Sequence, residues 1–296
     1  MTKNFKQSSG QMLILMKIFP YILNAIKDNV YVQFIRDLIE ISHILFAPIL
    51  FRETLNKLEE MIENHLKQFR QLFPDNNVKQ KQHYMVHFSS QIAALGPLTR
   101  HMCMRFESKH RFFKKWASKL NYKNICKSLV DHSKVIESTQ NETNYMFTHE
   151  KELGSLSEVS HLEYVSSKIR DFLNIDNFNH IITTNWISLY GNKYISKKTC
   201  IVTSSYDGLI VFGLINTIFV VDSSLFCCEY QAYDTLEFNR DLLSYEIAVP
   251  NAALATELID LEKLPDYTAY HTVLINAKMY VLRKYELADV LLCTNA

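Results

Sequence analysis

Apolar and polar residues follow different patterns in the two halves of the chain. Through residues 10–19, 32–51 and 55–74 apolar side chains recur every three or four positions, which predicts amphipathic helices. After about residue 178, segments rich in Val, Ile, Thr, Tyr and Phe are separated by short turns, which predicts five or six strands. Together the patterns predict an α+β protein, with an N-terminal helical domain followed by a small SH3-like β-barrel domain.

Changes in composition set the predicted domain boundaries. These are a helical domain over 1–138, a polar linker over 139–177 and a small β-barrel domain over 178–296. Pro20, Pro48 and Pro74 lie near the expected breaks between helices in the first half. The apolar run at 11–19 is interrupted by Lys17 and is shorter than the roughly 20 residues that span a bilayer. It therefore predicts a core helix, and we expect no contact with a membrane.

The spacing of cysteine and glycine excludes several classes of protein. The six cysteines show no CxxC pair and no regular spacing, which favours free thiols in a reducing compartment, so we expect a nuclear or cytoplasmic protein that is not secreted. None of the six glycines belongs to a G-x-G-x-x-G motif, a P-loop or a G-x-S-x-G motif. Phosphate-binding loops and the hydrolase elbow need such glycines, because the backbone must bend sharply or approach the ligand closely. Those enzyme classes are therefore not supported.

Charge is distributed unevenly although the net charge is only +1. Between residues 100 and 127 there are nine Lys and Arg residues and one acid, Glu107. Between residues 181 and 296 there are eight Lys and Arg residues against thirteen Asp and Glu residues. This asymmetry between a basic segment and an acidic tail is informative about partners, whereas the net charge is not.

A predicted helix over 100–120 carries the basic segment. At 100° per residue its polar face holds Cys103, Glu107, His110, Arg111 and Lys114, and its apolar face holds Met102, Phe106, Phe113, Trp116 and Leu120. The apolar face is typical of core packing. Glu107 has three interpretations: it pairs with Arg111 and His110 on a solvated face, it orders cations that contact phosphates, or it is one of several carboxylates that hold Mg²⁺.

His83 and His87 are the weak candidates for metal ligands. They are four residues apart on a predicted helix, so both imidazoles could reach one ion. No Cys pair and no H-E-x-x-H context accompanies them, so a polar helix face or packing beneath the basic helix is the favoured explanation of the spacing. We therefore predict no resident metal site.

A longer run of residues resembles a known family. The pattern K-x-H-x-x-x-H, then G-P-L, then M-R-F-E-x-K-H with a following lysine, then N-x-K-N is similar to a segment of transposases of the CACTA (En/Spm-like) DNA transposons and of proteins derived from them. The matching positions are Lys81, His83, His87, Gly96, Pro97, Leu98, Met104, Arg105, Phe106, Glu107, Lys109, His110, Lys114, Asn121, Lys123 and Asn124. The similarity covers most of the chain and is specific over residues 81–124.

This resemblance implies a DNA transposase with an RNase H-like core and a metal-binding acidic triad, with Glu107 as the candidate for its last acid. The chain departs from the family because no earlier aspartate lies on an apolar strand. Asp28, Asp37 and Asp75 fall in predicted helices or turns. We therefore expect the chain to correspond to the C-terminal portion of such a transposase and to lack autonomous two-metal chemistry.

The expected function is that of a non-autonomous, transposase-derived DNA-binding protein rather than an enzyme. The candidate DNA-binding residues are Arg100, Arg105, Lys109, His110, Arg111, Lys114, Lys115, Lys119 and Lys123. No cofactor is expected, and Mg²⁺ is required only if Glu107 retains nuclease or strand-transfer activity. The alternative is a protein-interaction module, in which residues 178–296 contact a transposase subunit or a host protein.

Overall fold

The computed structural model describes residues 8–26, 29–102, 110, 113–119, 124–142, 151–159, 162–175, 178–206, 209–248 and 256–287. Helices occupy most of the first half and strands most of the second, which confirms the predicted α+β class. The helices are α1 (Ser9–Leu23), α2 (Val30–Leu45), α3 (Arg52–Leu72), α4 (Gln80–Met85), α5 (Phe88–Leu95), α6 (Ile125–Glu142) and α7 (Leu162–Leu173), with a 3₁₀ turn at Leu98–Arg100.

The N-terminal helices pack around a core of aliphatic side chains. Helix α2 begins at a side-chain cap, because the Asn29 carboxamide oxygen accepts from the Tyr31 backbone N–H at 2.8 Å. Helices α2, α3 and α5 contribute the buried Ile41, Ile44, Leu58, Ile62 and Ile92. The helix end expected near Pro20 falls three residues later, at Leu23. Pro20 lies inside α1, where the missing N–H removes one hydrogen bond near the last turn and the helix continues to Leu23.

The strands of the second half form two sheets. They are β1 (Glu152–Leu153), β2 (Leu156–Glu158), β3 (Ile181–Thr184), β4 (Trp186–Leu189), β5 (Asn192–Ile195), β6 (Thr199–Tyr206), β7 (Leu209–Val221), β8 (Leu225–Asn239), β9 (Ser244–Ile247), β10 (Glu257–Asp260), β11 (Asp266–Ile275) and β12 (Lys278–Leu282). The smaller sheet has the order β1-β4-β5, and the larger sheet contains the other strands. All pairings are antiparallel.

Six strands of the larger sheet pair in a closed order, which we call the strand circuit. The order is β6-β7-β8-β9-β12-β11, and β11 pairs back to β6. Side chains from these strands form one core, which contains Val202, Phe212, Tyr233, Tyr270 and Val281. Because the last strand pairs with the first, each of the six strands has a hydrogen-bonded neighbour on both sides over at least part of its length.

Strands β7 and β8 are 13 and 15 residues long and extend beyond the strand circuit. Their distal halves pair with β3 on one side and β10 on the other. Here Ile218 and Val220 pack toward the small sheet, whereas Phe219 and Val221 pack beneath α7. Burial on both faces explains why this part of the sequence is continuously apolar rather than alternating.

Much of the predicted linker over 139–177 is part of the folded β region. Strands β1 and β2 pair with β4 and β3, and α7 buries Ile169 against the distal half of β7. Helix α7 is also fixed by an ion pair, because Lys168 Nζ lies 2.8 Å from Glu229 Oε1 on β8. The two described ranges, 151–159 and 162–175, are therefore packed elements rather than a connection between domains.

The helical part contacts one end of the strand circuit. Arg36 on α2 pairs with Asp241 at 2.9 Å, and the Tyr21 and Ser244 hydroxyls are hydrogen-bonded. The backbone N–H of Glu286, after β12, donates to the carbonyl oxygen of His43 at 3.0 Å. These contacts join α1 and α2 to the β8–β9 connection, to the start of β9 and to the segment that follows β12.

Candidate nucleic-acid interface

The basic segment begins directly after α5. That helix ends at Gly96, whose φ of +82° favours glycine and whose N–H donates to the Ile92 carbonyl at 2.8 Å. Pro97 then starts the short 3₁₀ turn that ends at Arg100. Arg100 is exposed at this turn. The predicted helix over 100–120 therefore does not begin at Arg100, because the 3₁₀ turn ends there.

A second described part of the basic segment is helical and is held against α6. Residues 113–117 are helical, and the ring centroids of Trp116 and His132 lie 3.9 Å apart. Trp116 is half-buried, in agreement with its predicted packing role. The ammonium group of Lys119 lies 5.5 Å from the centre of the Trp116 ring, a cation–π geometry. The indole thus anchors this helical piece while the lysines around it reach solvent.

The described candidate cations are all exposed. They are Arg100, His110, Lys114, Lys115 and Lys119. Within the described part of the chain, none of them forms an ion pair with an acid. Arg105, Glu107, Lys109, Arg111 and Lys123 lie outside the described residues, and so does Cys103 of the predicted polar face. The three interpretations of Glu107 stay open.

Acids of the β region are neutralised locally to a large extent. Glu229 pairs with Lys168, Glu246 with Lys278 at 2.8 Å, and Glu262 with Lys151. Two further acids are engaged by hydroxyl groups: Glu257 accepts from Tyr230, and Asp266 accepts from Tyr270. The number of unpaired carboxylates on the surface of this region is therefore smaller than the number of acidic residues in its sequence.

The two histidines of the predicted pair lie close together in space. The helix predicted to carry both residues is interrupted at Val86 and His87, between α4 and α5. The rings of His83 and His87 are exposed, with centroids 5.1 Å apart and planes at 86°. No third His, Cys, Asp or Glu joins them, since the described residues contain no group of three such side chains that could hold an ion.

A buried polar cluster, which the sequence did not predict, lies at the helical end of the strand circuit. Asp266 is 5% exposed and accepts from Tyr270 Oη and Tyr285 Oη, each at 2.5 Å, and from the Thr268 backbone N–H at 3.1 Å. Burial and the Asp266 charge raise the pKa of Tyr285, so both tyrosines stay protonated and act as donors. In the sequence, Asp266 and Tyr270 are only four residues apart, which is the one sign that they could contact each other. Nothing in the sequence indicates that Tyr285 joins them.

Two basic side chains at the same end of the circuit, Lys284 and His43, have lowered pKa values. Lys284 donates to the Ala269 carbonyl, and its pKa is lowered to about 8 by burial and then by Lys17, although Asp266 acts in the opposite direction. His43 is 4% exposed, and its pKa is lowered to about 3 by burial and then by Arg283 and Lys17. At neutral pH His43 is therefore an uncharged core residue.

Comparisons with known proteins identify no relative. No protein-family model matches the chain, and no curated protein or solved structure matches it significantly. The resemblance to CACTA transposases stays a prediction. Among the described residues, no helix has both the length and the apolar character needed to cross a lipid bilayer.

Proposed function

We propose that the protein binds nucleic acid through the basic segment that runs from Arg100 to Lys127, as a non-autonomous derivative of a CACTA-type transposase. The observation that carries the proposal is the exposure of Lys114, Lys115 and Lys119 without acidic partners among the described residues. Phosphate groups are the partners that such lysines neutralise in DNA complexes.

The chemistry of this surface favours contacts to the backbone of DNA rather than to base edges. Lysine presents a flexible point charge, whereas base recognition usually needs the planar fork of arginine or an amide. Binding should therefore tolerate changes of sequence and weaken steeply as salt is added, because each neutralised phosphate releases condensed counterions. Glu107 would act here by ordering neighbouring cations, and Mg²⁺ would be needed only for residual strand cleavage at that residue.

The alternative, a protein-interaction module acting through residues 178–296, has less support. Its acidic composition suggested an unpaired carboxylate surface, but Glu229, Glu246 and Glu262 are paired with lysines of the same molecule.

We also propose that the strand circuit is a small barrel of the SH3-like type. It is supported by the pairing of β11 back to β6.

Replacing Lys114, Lys115 and Lys119 together with glutamine is expected to weaken binding to a short DNA duplex by at least tenfold at about 100 mM salt. The slope of log affinity against log salt should become shallower by close to three units, about 0.9 for each lost phosphate contact. Fluorescence anisotropy at several salt concentrations measures both quantities.

The matched control replaces Lys57, Lys198 and Lys263 with glutamine. These lysines are exposed, and they lie outside the basic segment, so the net charge changes equally. The control is expected to retain wild-type affinity and slope, and circular dichroism should show both variants folded. Equal binding by the two variants would contradict the proposal, because it would trace any affinity to net charge alone.

A further inference from the structure

A groove on the helical part lies between α3 and the turn that follows α4. It has a volume of about 360 Å³, and Ile62 and Leu66 of α3, together with Val86 after α4, form its apolar lining. Val86 is 50% exposed although it is a large aliphatic residue. Ile62 is only 2% exposed and forms the floor of the groove, so its apolar surface toward water comes from Val86 and the half-buried Leu66.

Charges border this groove in a defined order along α3. Glu59 and Glu63 lie toward the start of the helix, and Lys67 and Arg70 lie toward its end. Glu63 and Lys67 pair with each other at 2.7 Å. Glu59 and Arg70 form no ion pair with a described residue. They are eleven positions apart on a helix that rises 1.5 Å per residue, so about 16 Å separates them and they cannot pair within one molecule.

We propose that the groove binds the α3 helix of a second copy of this chain, with the two helices antiparallel. A two-fold axis between Glu63 and Leu66 places Glu59 of each copy opposite Arg70 of the other. It brings the half-buried Leu66 side chains of the two copies close to the axis, and it lets Glu63 and Lys67 pair across the interface as well as within each helix. An isologous contact of this kind is closed and self-complementary, which is the commonest form of homodimer.

The charge order is the reason for choosing a second copy as the occupant. A helix with acids at one end and bases at the other repels a parallel copy of itself and attracts an antiparallel one. An unrelated partner would have to reproduce the same order of charges in reverse. A single helix face covers less area than the roughly 800 Å² per partner of a standard interface, so the dimer should be reversible and sensitive to salt.

Charge reversal tests the register directly. Glu59→Lys with Glu63→Lys makes all four groove charges positive, and Lys67→Glu with Arg70→Glu makes all four negative. Sedimentation equilibrium at low salt should show the wild-type chain dimerising at concentrations up to about 100 µM, the range of weak interfaces. Each reversed variant should be monomeric over that range. An equimolar mixture of the two should dimerise at least as strongly as the wild type.

The control variant carries Glu53→Lys and Glu60→Lys, which change the charge of α3 equally at exposed positions outside the groove. It should dimerise like the wild type. A wild-type chain that stays monomeric would overturn the proposal, and so would a mixture of folded reversed variants that fails to associate. Recovery in the mixture cannot come from misfolding, because it requires both groove surfaces to be intact. The experiment contains no DNA, so its outcome is independent of the proposed function.

Discussion

Replacing Asp266 with alanine is expected to lower the free energy of unfolding by about 4 kcal/mol, because several buried groups lose their partner at once. The carboxylate accepts from the hydroxyls of Tyr270 and Tyr285 and from the Thr268 N–H. A buried donor left without an acceptor costs about 1–3 kcal/mol. Lys284 would also lose the nearby charge that partly offsets its desolvation. Urea unfolding followed by circular dichroism measures the loss.

Two further variants show whether this loss comes from the hydrogen bonds. Asp266→Asn keeps one acceptor oxygen but presents an NH₂ group to hydroxyls that need acceptors, so about half of the loss is expected. Asp171→Ala removes an exposed carboxylate from α7 and should change the free energy of unfolding by less than about 0.5 kcal/mol. An Asp266→Ala protein as stable as the wild type would show that the cluster does not stabilise the fold.

His43→Leu is expected to remove a large part of the loss of stability in acid. The imidazole has a pKa of about 3 in the folded protein and about 6.5 in the unfolded chain. Below pH 6.5 the unfolded chain therefore binds a proton that the folded protein does not. The free energy of unfolding is fully retained above pH 6.5, and it falls by about 1.4 kcal/mol per pH unit as the pH drops toward 3.

Two positively charged groups near His43 both make its protonation unfavourable. Arg283 and Lys17 both lower its pKa, and neither ring nitrogen has a hydrogen-bond partner among the described residues. Leucine at this position therefore loses no hydrogen bond. Relative to the wild type, the variant should gain about 3 kcal/mol between pH 7.5 and pH 4.5.

Chemical denaturation at a series of pH values measures this gain as a difference between the two proteins. His83→Leu is the matched control, since the His83 side chain is exposed, and it should follow the wild-type curve. Parallel curves for the wild type and His43→Leu would show that His43 is not the group responsible.

Local patterns in the sequence predicted the classes of element better than their arrangement. Helical spacing identified α2 and α3, and β-branched composition identified β6, β7 and β8. Strands β1 and β2 contain only two and three residues, so no alternation could reveal them within the predicted linker. The pairing of β11 with β6 joins residues about 70 positions apart, and nothing local encodes it.

The candidate functional residues also fall into those that the sequence revealed and those that depend on contacts between distant parts of the chain. The clustering of lysines near residue 115 was evident from the sequence, because exposed charge needs no partner to be recognised. The Asp266 cluster was not, since it depends on Tyr285 returning to β11 after the intervening strand. Burial of His43 depends likewise on Arg283 and Glu286, which arrive from the far end of the chain.

The long hairpin of β7 and β8 has a consequence for how the β region assembles. Its turn is short, with Asp222 and Ser223 both at positive φ, so the two strands can meet at little entropic cost. The strand circuit and the layer beneath α7 share this hairpin, and neither has a complete core without it. We expect the hairpin to form early in folding and the other strands of both parts to pair with it. The strand circuit and the layer beneath α7 should then unfold together as one cooperative unit.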